Sequence, residues 1–394
     1  MKPLVLPQPE KSPDLLVIAG EESGDAHAAK MVRELKNLQP GTNIYAIGGR
    51  HLQASGTTLL LDLSAQAVVG FIEVFRHLFF YYQLLKKTLL WVQTHQPKAI
   101  VLVDAPGLNL RLAHLLFKHR LSRKAGGKIR VYYYISPQVW AWKPHRRFQM
   151  EQWVDRLAVI FPFETNSFAD TSLPVTYVGN PLLESTHRSL LHYNASGPLL
   201  LLPGSRKTPV QRIYPILLKT YALLRKQGFS LPAMTLYPNE EIKTELTQWL
   251  NQAQFKFLPV SLIPNETAIN ASGTLMSSGT MSLSCALAGI PGAIVYRTHP
   301  ITYFLGKLFV KVPYLGIANL LLNKELYPEF IQSKAKPELI AQYWLKYQEE
   351  PLAFSNFQQG QNKLIQLLTQ NILSSPGKWL ESSLLQETKI EEKL

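Results

Sequence analysis

An aspartate at the end of an apolar run is the first candidate for chemistry in this sequence. Residues 98–104 read KAIVLVD, so Asp104 follows five apolar residues and precedes Ala105 and Pro106. A carboxylate at the mouth of a cleft is partly desolvated, which raises its pKa and suits a general base. A turn or helix-capping aspartate occupies the same kind of position. Both interpretations remain open on the sequence alone.

Two further stretches suit the binding of an anion. Residues 277–291, SSGTMSLSCALAGIP, follow the strand-like run 273–276 and predict a helix that starts at the small residues and stops at Gly289. The first turn of a helix leaves N–H groups unpaired and carries partial positive charge, so a phosphate binds there. In residues 203–206, PGSR, Arg206 follows another apolar run, and its guanidinium would bind a diphosphate through two hydrogen bonds. The alternatives are an ordinary strand-to-helix connection and a surface arginine.

The elements that must position these residues are apolar runs of strand length alternating with helical stretches. Such runs lie at residues 15–19, 43–49, 98–104, 130–135, 157–161, 175–178, 199–202, 234–237, 255–260, 274–276 and 293–296. This alternation predicts α/β structure with doubly wound parallel sheets, in which ligands bind at the carboxyl ends of the strands. Residues 20–25 form one such strand-end loop, and Asp25 would cap a helix predicted at residues 26–38.

The length of 394 residues fits two domains rather than one core. A turn at residues 179–181 and a polar connector after it predict a first domain at 1–185 and a second at 186–374. The tail, 375–394, is expected to pack back on the first domain. We expect a cleft between facing strand edges. The single cysteine, Cys285, excludes an intramolecular disulfide and is expected to be a packing residue.

The net charge of +14 favours partners that are negatively charged, namely phosphorylated substrates, anionic membranes or nucleic acids. Residues 68–92 are the most apolar region, but charged residues interrupt it too often for a membrane span. It predicts either a buried helix or an amphipathic helix at a membrane surface. The anchors in the second case are Phe79, Phe80, Tyr81 and Trp91. Residues 118–156 are basic and aromatic, yet no nucleic-acid signature accompanies them, so nucleic acid is not expected.

A series of motifs in this chain resembles the lipid-A-disaccharide synthases, which are inverting glycosyltransferases of the GT-B fold. The motifs run in order from residue 19 to residue 332. They are AGEESGD at 19–25, VVGFIEVF at 68–75, VDAPGLN at 103–109, ISPQVWAW at 135–142, FPFE at 161–164, LLPGSR at 201–206, SSGT at 277–280 and IANLLLNKELYPEFIQ at 317–332.

The resemblance implies transfer of 2,3-diacylglucosamine from its UDP-activated form to 2,3-diacylglucosamine 1-phosphate. It places Asp104 as the base and Asn319 as a second catalytic position. Nucleotide binding would fall to Ser205, Arg206, Ser278, Gly279, Thr280 and Ser284, and the acceptor or donor loop would comprise Glu22, Ser23, Gly24, Asp25 and Asn109. Stabilising the leaving diphosphate in this way needs no metal and no cofactor. The implied location is cytoplasmic, peripheral on the inner membrane, and the absence of a signal-peptide pattern at the N-terminus agrees with it.

Several departures from the family pattern leave alternatives open, among them a turn at residues 179–181 that lacks the usual histidine. Ser284 stands where the family usually has a glutamate that binds the nucleotide ribose, and a serine makes no charge-assisted bond there. Pro209 stands where the family usually has a glutamate after the GSR turn. Residues 107–108 are Gly-Leu, where the family usually has Asp-Phe. The alternatives are a GT-B paralogue that uses another UDP-sugar, as a transferase or a nucleotide-sugar epimerase, and a catalytically silent membrane-binding protein.

Overall fold

The computed structural model describes residues 4–63, 71–183, 190–300, 303–304 and 312–391, with side chains outside 71–78 and 386–391. The chain divides into two compact units. Unit 1 comprises Met1–Gly179 together with Asn371–Leu394, and unit 2 comprises Asn180–Gln370. Both boundaries lie a few residues before the positions expected from the sequence.

Unit 1 is built on a seven-stranded sheet in which every pair of neighbours is parallel. Its strands are β1 Leu15–Ala19, β2 Ile44–Gly48, β3 Thr58–Asp62, β4 Ala99–Val103, β5 Arg130–Tyr134, β6 Arg156–Val159 and β7 Val175–Tyr177. The order across the sheet is β3-β2-β1-β4-β5-β6-β7, so the direction of winding reverses between β1 and β4. The loops after these two strands are therefore neighbours at the point where doubly wound sheets bind ligands.

Five helices cover this sheet before the chain leaves unit 1. They are α1 Glu22–Leu38, α2 Arg50–Ala54, α3 Phe71–His95, α4 Pro106–Lys118 and α5 Arg146–Trp153. The predicted start of α1 at residue 26 is wrong, because two residues after β1 suffice for the connection and residues 22–25 form the first turn of the helix. Glu22 and Asp25 in that turn suit the positive end of the helix dipole.

Unit 2 repeats the same winding in a six-stranded parallel sheet. Its strands are β9 Leu199–Leu202, β10 Ala233–Tyr237, β11 Val260–Pro264, β13 Gly273–Met276, β14 Gly292–Tyr296 and β15 Glu329–Ile331, while β8 Leu191–Tyr193 and β12 Ile269–Ala271 pair separately. The order β11-β10-β9-β13-β14-β15 places the reversal between β9 and β13. The expectation of doubly wound parallel sheets is confirmed.

The described residues of unit 2 contain six α-helices. They are α6 Lys207–Lys226, α7 Glu240–Leu250, α8 Thr280–Leu287, α9 Ile317–Leu322, α10 Pro337–Glu349 and α11 Ala353–Thr369. The strand predicted at residues 255–260 is wrong: β11 begins at Val260, and the preceding residues form turns. Phe255 lies in a turn and packs into the core, where it is 2% exposed. Phe257 in the same stretch is 89% exposed, so the apolar run does not mark a buried strand.

The last helix, α12 Pro376–Glu391, returns to unit 1 and packs on α1. The Gly377 N–H donates to Glu34 Oε2 at 2.9 Å, and the Tyr132 hydroxyl donates to the Ser383 carbonyl at 2.9 Å. Trp379 is buried in the same core layer as Tyr132, with the two rings 6.1 Å apart. Residues 377–383 are therefore part of unit 1, with Trp379 in its core.

Replacing Trp379 with alanine is expected to lower the free energy of unfolding by about 3–5 kcal/mol, because a large buried ring leaves a cavity. Urea denaturation followed by circular dichroism measures the change. Leu385→Ala on the same helix is the matched control, since Leu385 is 48% exposed, and its effect should stay within about 0.5 kcal/mol. Equal losses in the two variants would contradict a core role for α12.

Candidate functional site

The turn after β4 holds Asp104 in an unusual backbone conformation. Asp104 and Ala105 have φ values of 49° and 42°, in the left-handed region that non-glycine residues seldom adopt. Three hydrogen bonds hold this turn. The Asp104 N–H donates to the Tyr134 carbonyl at 2.9 Å, while the Asp104 carbonyl accepts from the Tyr133 hydroxyl at 2.6 Å and from Asn109 Nδ2 at 2.9 Å. The surrounding residues thus fix the backbone that carries the Asp104 carboxylate.

The environment of Asp104 suits a proton acceptor. Burial raises the pKa of its carboxyl group above the ordinary value, the charge of Glu21 raises the pKa further, and the Ala105 N–H lowers it. Asp104 itself is only partly buried. A carboxylate with a raised pKa that remains accessible holds a proton more readily than an ordinary aspartate does.

In the predicted acceptor or donor loop, residues 22–25, the first two residues are exposed and the last two are buried. Asp25 is buried and accepts hydrogen bonds from the N–H groups of Gly49 at 2.7 Å and His51 at 2.8 Å. It therefore caps α2, and the prediction that it caps its own helix is wrong. A Cβ on Gly24 would lie 3.8 Å from the Asp104 Cβ, an ordinary van der Waals distance, so the start of α1 lies directly beside the Asp104 turn.

Glu22 and Ser23 are exposed at the start of α1, and Glu22 pairs with Arg50 at 3.1 Å. Their neighbours Glu21 and Asp25 add carboxylates to the same turn. This concentration of negative charge disfavours a phosphate at the start of α1, although it does not disfavour sugar hydroxyls.

Asn109 is fully buried beneath the Asp104 turn. Besides the bond to the Asp104 carbonyl, its Nδ2 donates to the Val103 carbonyl at 3.0 Å. Asn109 therefore positions Asp104 from below rather than facing the surface.

In unit 2, the two predicted nucleotide-binding stretches lie side by side at the reversal between β9 and β13. The Ser277 N–H donates to the Leu202 carbonyl at 2.8 Å. A Cβ on Gly204, whose φ is 117°, would lie 3.2 Å from Ser277 Oγ. Close approach of the two loops therefore depends on glycine at position 204.

Two helices start from these loops, and both starts lack acidic side chains. Arg206 is the N-cap residue of α6, and Gly279 is the N-cap residue of α8, which begins at Thr280. Neither first turn contains a carboxylate, in contrast to α1. Gly279 has φ 155° and open space where a Cβ would stand, so a ligand has room to approach the backbone. Two adjacent helix N-termini with an exposed arginine are suited to bind an anion, and we call this place the candidate anion site or, in short, the anion site.

Ser205, Arg206 and Thr280 are exposed around this anion site. Ser284 lies one turn further along α8, where it is partly exposed and its Oγ lies 3.4 Å from the Thr280 carbonyl. Ser284 contributes a hydroxyl and no charge on this side of the helix.

Ser278 and Asn319 belong to one hydrogen-bond network behind the anion site. The Ser278 hydroxyl donates to the Leu315 carbonyl at 2.7 Å, and the N–H groups of Leu315 and Gly316 donate to the Glu329 carboxylate at 2.8–3.0 Å. Asn319 Nδ2 donates to Glu329 Oε1 at 2.9 Å. This network ties the start of α8 to α9 and β15.

All hydrogen-bonding groups of the buried Asn319 side chain are engaged inside unit 2. Its Nδ2 also donates to the Tyr327 carbonyl at 2.7 Å, and its Oδ1 accepts from the N–H groups of Leu326 and Tyr327. Direct contact of Asn319 with a substrate is therefore not what its geometry favours. Asn319 is a positioning residue in this structure.

Replacing Asn319 with alanine is expected to lower the free energy of unfolding by about 1–3 kcal/mol, because buried N–H and carboxylate groups lose their partner. Urea denaturation of the full chain measures this change. Asn270→Ala is the matched control, since Asn270 is exposed on β12. An Asn319→Ala variant as stable as the control would contradict the positioning role.

The four predicted membrane anchors on α3 differ in their surroundings. Phe79 and Tyr81 are 52% and 38% exposed, whereas Phe80 packs partly against the core of unit 1. Trp91 is buried, and its Nε1 donates to the Pro7 carbonyl at 3.0 Å. The prediction of Trp91 as a surface anchor is wrong, because that face of α3 packs against Tyr45 of β2 and the N-terminal segment at Pro7.

The start of the apolar region, residues 68–70, lies outside the described residues. Within the described ranges, the structure contains no helix that is both long and apolar enough to cross a membrane.

Sequence reasoning missed three residues that shape the site. Tyr133 is one of three successive tyrosines, and alternation along β5 sends it to one face of the sheet and its neighbours to the other. Glu329 lies within a quoted motif, but its partners are brought to it only by the fold. Glu164, the last residue of the FPFE motif, stabilises a turn because its carboxylate accepts a hydrogen bond from the Phe161 N–H at 3.0 Å. Burial raises the pKa of this carboxyl group to about 8.

Cys285 is fully buried, and burial raises the pKa of its thiol to about 12. The expectation that Cys285 is a packing residue is confirmed.

Two doubly wound units, one with a positioned carboxylate and the other with an anion site at the corresponding strand ends, define a GT-B type fold. Solved structures agree with this class. A putative UDP-N-acetylglucosamine 2-epimerase from Listeria monocytogenes matches with a TM-score of 0.59 at 10% identity, covering 96% of this chain and 97% of that one. A spinosyn rhamnosyltransferase complexed with spinosyn aglycone matches with a TM-score of 0.54 at 12% identity, covering 93% and 99%. At these identities the likeness concerns the fold alone.

Sequence comparison identifies the family within that class. The Lipid-A-disaccharide synthetase family profile matches residues 15–382. Lipid-A-disaccharide synthase 1 of Legionella pneumophila (strain Paris) is 35% identical over 350 residues, covering 86% of this chain and 88% of that protein. The lipid-A-disaccharide synthase of Geobacter metallireducens is 32% identical over 354 residues, with the same coverage. The chain belongs to the lipid-A-disaccharide synthase family of glycosyltransferases.

Proposed function

We propose that this protein transfers 2,3-diacylglucosamine from UDP-2,3-diacylglucosamine to 2,3-diacylglucosamine 1-phosphate, forming a β-1,6-linked disaccharide and releasing UDP. The observation that carries the proposal is the placement of the family motifs. Asp104 and residues 203–206 and 277–280 all lie at the strand ends where a doubly wound sheet reverses. Family membership over residues 15–382 supports this reaction over nucleotide-sugar epimerisation.

Asp104 is the proposed general base. Its carboxylate would take the proton of the acceptor 6-hydroxyl as that oxygen attacks the anomeric carbon, and the bond from this carbon to the UDP oxygen breaks. Attack from the face opposite the leaving group inverts the anomeric configuration. The raised pKa of Asp104 and its fixed backbone support this role.

The anion site of unit 2 is proposed to hold the diphosphate of the donor. Negative charge builds on the leaving diphosphate as the glycosidic bond breaks, and the Arg206 guanidinium and the N–H groups at the starts of α6 and α8 would stabilise it. Ser205 and Thr280 would orient the phosphates, and Ser278 would hold the loop in place through its bond to the Leu315 carbonyl. Ser284 would offer a neutral hydrogen bond to the nucleotide.

Because the proposed acceptor carries acyl chains, the protein needs a surface that contacts lipid. Phe79 and Tyr81 are exposed aromatic side chains on α3, and the basic charge of the chain suits an anionic bilayer. We therefore propose peripheral association with an anionic membrane surface, without nucleic acid as a partner.

The test is an assay of the purified full chain with both diacylated sugars. UDP release that depends on the acceptor, together with a β-1,6 disaccharide phosphate identified by mass spectrometry and NMR, is the expected result. Conversion of UDP-N-acetylglucosamine to its 2-epimer would support an epimerase instead. No reaction with either substrate set would contradict the proposed transfer.

A further inference from the structure

A long groove of about 850 Å³ runs between α3 and α4 in unit 1. Its lining residues recur at intervals of three or four along each helix, so each helix contributes one continuous face. The lining residues include Tyr82, Leu85, Leu89 and Leu90 on α3, and Leu110 and His114 on α4. From Pro106 to His119 the α4 wall spans about 20 Å at 1.5 Å per residue. We call this feature the α3–α4 groove.

The walls of the α3–α4 groove are mainly apolar. Leu85, Leu89 and Leu110 are buried side chains that form its floor, and the rings of His114 and Trp153 pack 4.7 Å apart at one side. Leu90 remains 55% exposed at its edge. An elongated apolar channel between two helices suits a flexible hydrocarbon chain better than a compact polar ligand.

The rim of the α3–α4 groove is positively charged. It carries Lys86, Lys87, Arg111 and Arg146, and none of the described lining residues is acidic. The elongated apolar floor suits the hydrocarbon chain of an amphiphile, and the basic side chains above it suit an anionic head group.

The α3–α4 groove begins beside the Asp104 turn. Pro106 and Gly107, which line one end of it, directly follow Asp104 and Ala105. Burial raises the pKa of the Tyr133 hydroxyl, which donates to the Asp104 carbonyl, and the charge of Arg146 on the rim partly offsets this rise. A molecule lying in the groove therefore has one end close to the proposed base.

We infer that the α3–α4 groove binds one fatty acyl chain of the phosphorylated acceptor, with its basic rim facing the acceptor phosphate. The inference rests on the proposed function, because it assigns the chain to that reaction's acceptor. Each CH₂ group buried in the groove strengthens binding by about fourfold. Acceptors with shortened chains should therefore show a stepwise rise in KM.

A binding experiment tests the groove without turnover. Dodecyl phosphate, kept below its micelle concentration, is titrated into the full chain and followed by calorimetry. Leu90→Glu, which places a carboxylate at the exposed edge of the floor, should weaken binding about tenfold or more. Leu38→Glu is the matched control, because Leu38 is a 40% exposed leucine at the end of α1, and it should bind as the wild type does. Equal affinities for wild type and Leu90→Glu would overturn the inference.

A kinetic experiment then assigns the occupant. Leu90→Glu should raise the KM for the acceptor about tenfold, while kcat and the affinity for UDP stay within about threefold. If this variant loses only binding to anionic phospholipid vesicles and keeps its KM, the groove touches the bilayer and the acceptor assignment is wrong. If the wild type shows no turnover with the diacylated sugars, the proposed function fails. The dodecyl phosphate result then still decides whether the groove binds an anionic amphiphile.

Discussion

Replacing Asp104 with asparagine is expected to lower kcat by about 10²- to 10⁴-fold, the usual contribution of a positioned general base. Asparagine is close in shape and tolerates positive φ, so the Asp104 turn should keep its conformation. The UDP-release assay measures the loss, and calorimetric titration of UDP should show unchanged affinity. The control is Asp170→Asn, which removes an exposed carboxylate paired with Arg147 at 2.5 Å. A variant that keeps more than about a tenth of wild-type kcat would contradict the assignment.

The pH dependence of the reaction provides an independent test of the same residue. A general base is active when deprotonated, so activity falls as pH drops through its pKa. Because burial and the charge of Glu21 raise the pKa of Asp104, the acid limb of kcat/KM should lie above the range of an ordinary aspartate.

Glu21→Gln removes one of these two causes and should move the acid limb to lower pH. Glu22→Gln is the matched control, since the neighbouring Glu22 pairs with Arg50 and does not contribute to the shift. Identical profiles for Glu21→Gln and wild type would contradict this account of the Asp104 environment.

Replacing Arg206 with alanine is expected to lower kcat by about 10²- to 10³-fold, comparable to the loss of one preorganised donor that stabilises developing negative charge. UDP affinity should fall as well, because the guanidinium is proposed to contact the diphosphate of the bound donor too. Arg206→Lys should recover only part of the loss, since an ammonium does not make the two-pronged bond.

Lys207→Ala is the control for Arg206. Lys207 is the next residue and pairs with Glu245 at 3.6 Å, so its removal changes the net charge equally without removing the proposed contact. If Lys207→Ala lost as much activity as Arg206→Ala, general positive charge rather than a specific contact would account for the effect.

The architecture was accessible from the sequence because buried parallel strands are short apolar runs that end in distinctive residues. Asp104, Arg206 and Ser278 were placed at strand ends for this reason, and the sheet order then brings β1 next to β4 and β9 next to β13. Local sequence patterns predict where each strand ends. Which strands lie next to each other depends instead on the winding of the whole sheet.

The roles of individual residues depended on contacts that the sequence does not display. Asn319 is engaged by Glu329, ten positions further along the chain. Trp91 is buried because its face of α3 meets the N-terminal segment at Pro7, 84 positions away. Asp25 looked like the cap of its own helix, yet the backbone of another helix reaches it. In each of these cases a polar or amphipathic side chain has a partner that only the tertiary structure brings within reach.

The return of α12 to unit 1 has a consequence for biosynthesis. Gly377 and Glu34 are bonded across 343 positions of the chain. Unit 1 therefore leaves the ribosome with the α1 face uncovered, and the roughly 200 residues that follow take about 10–40 s to be made. During that interval unit 2 is synthesised complete, while the surface that later receives Trp379 stays open to chaperones. The chain of unit 1 is thus complete only after unit 2 has been synthesised.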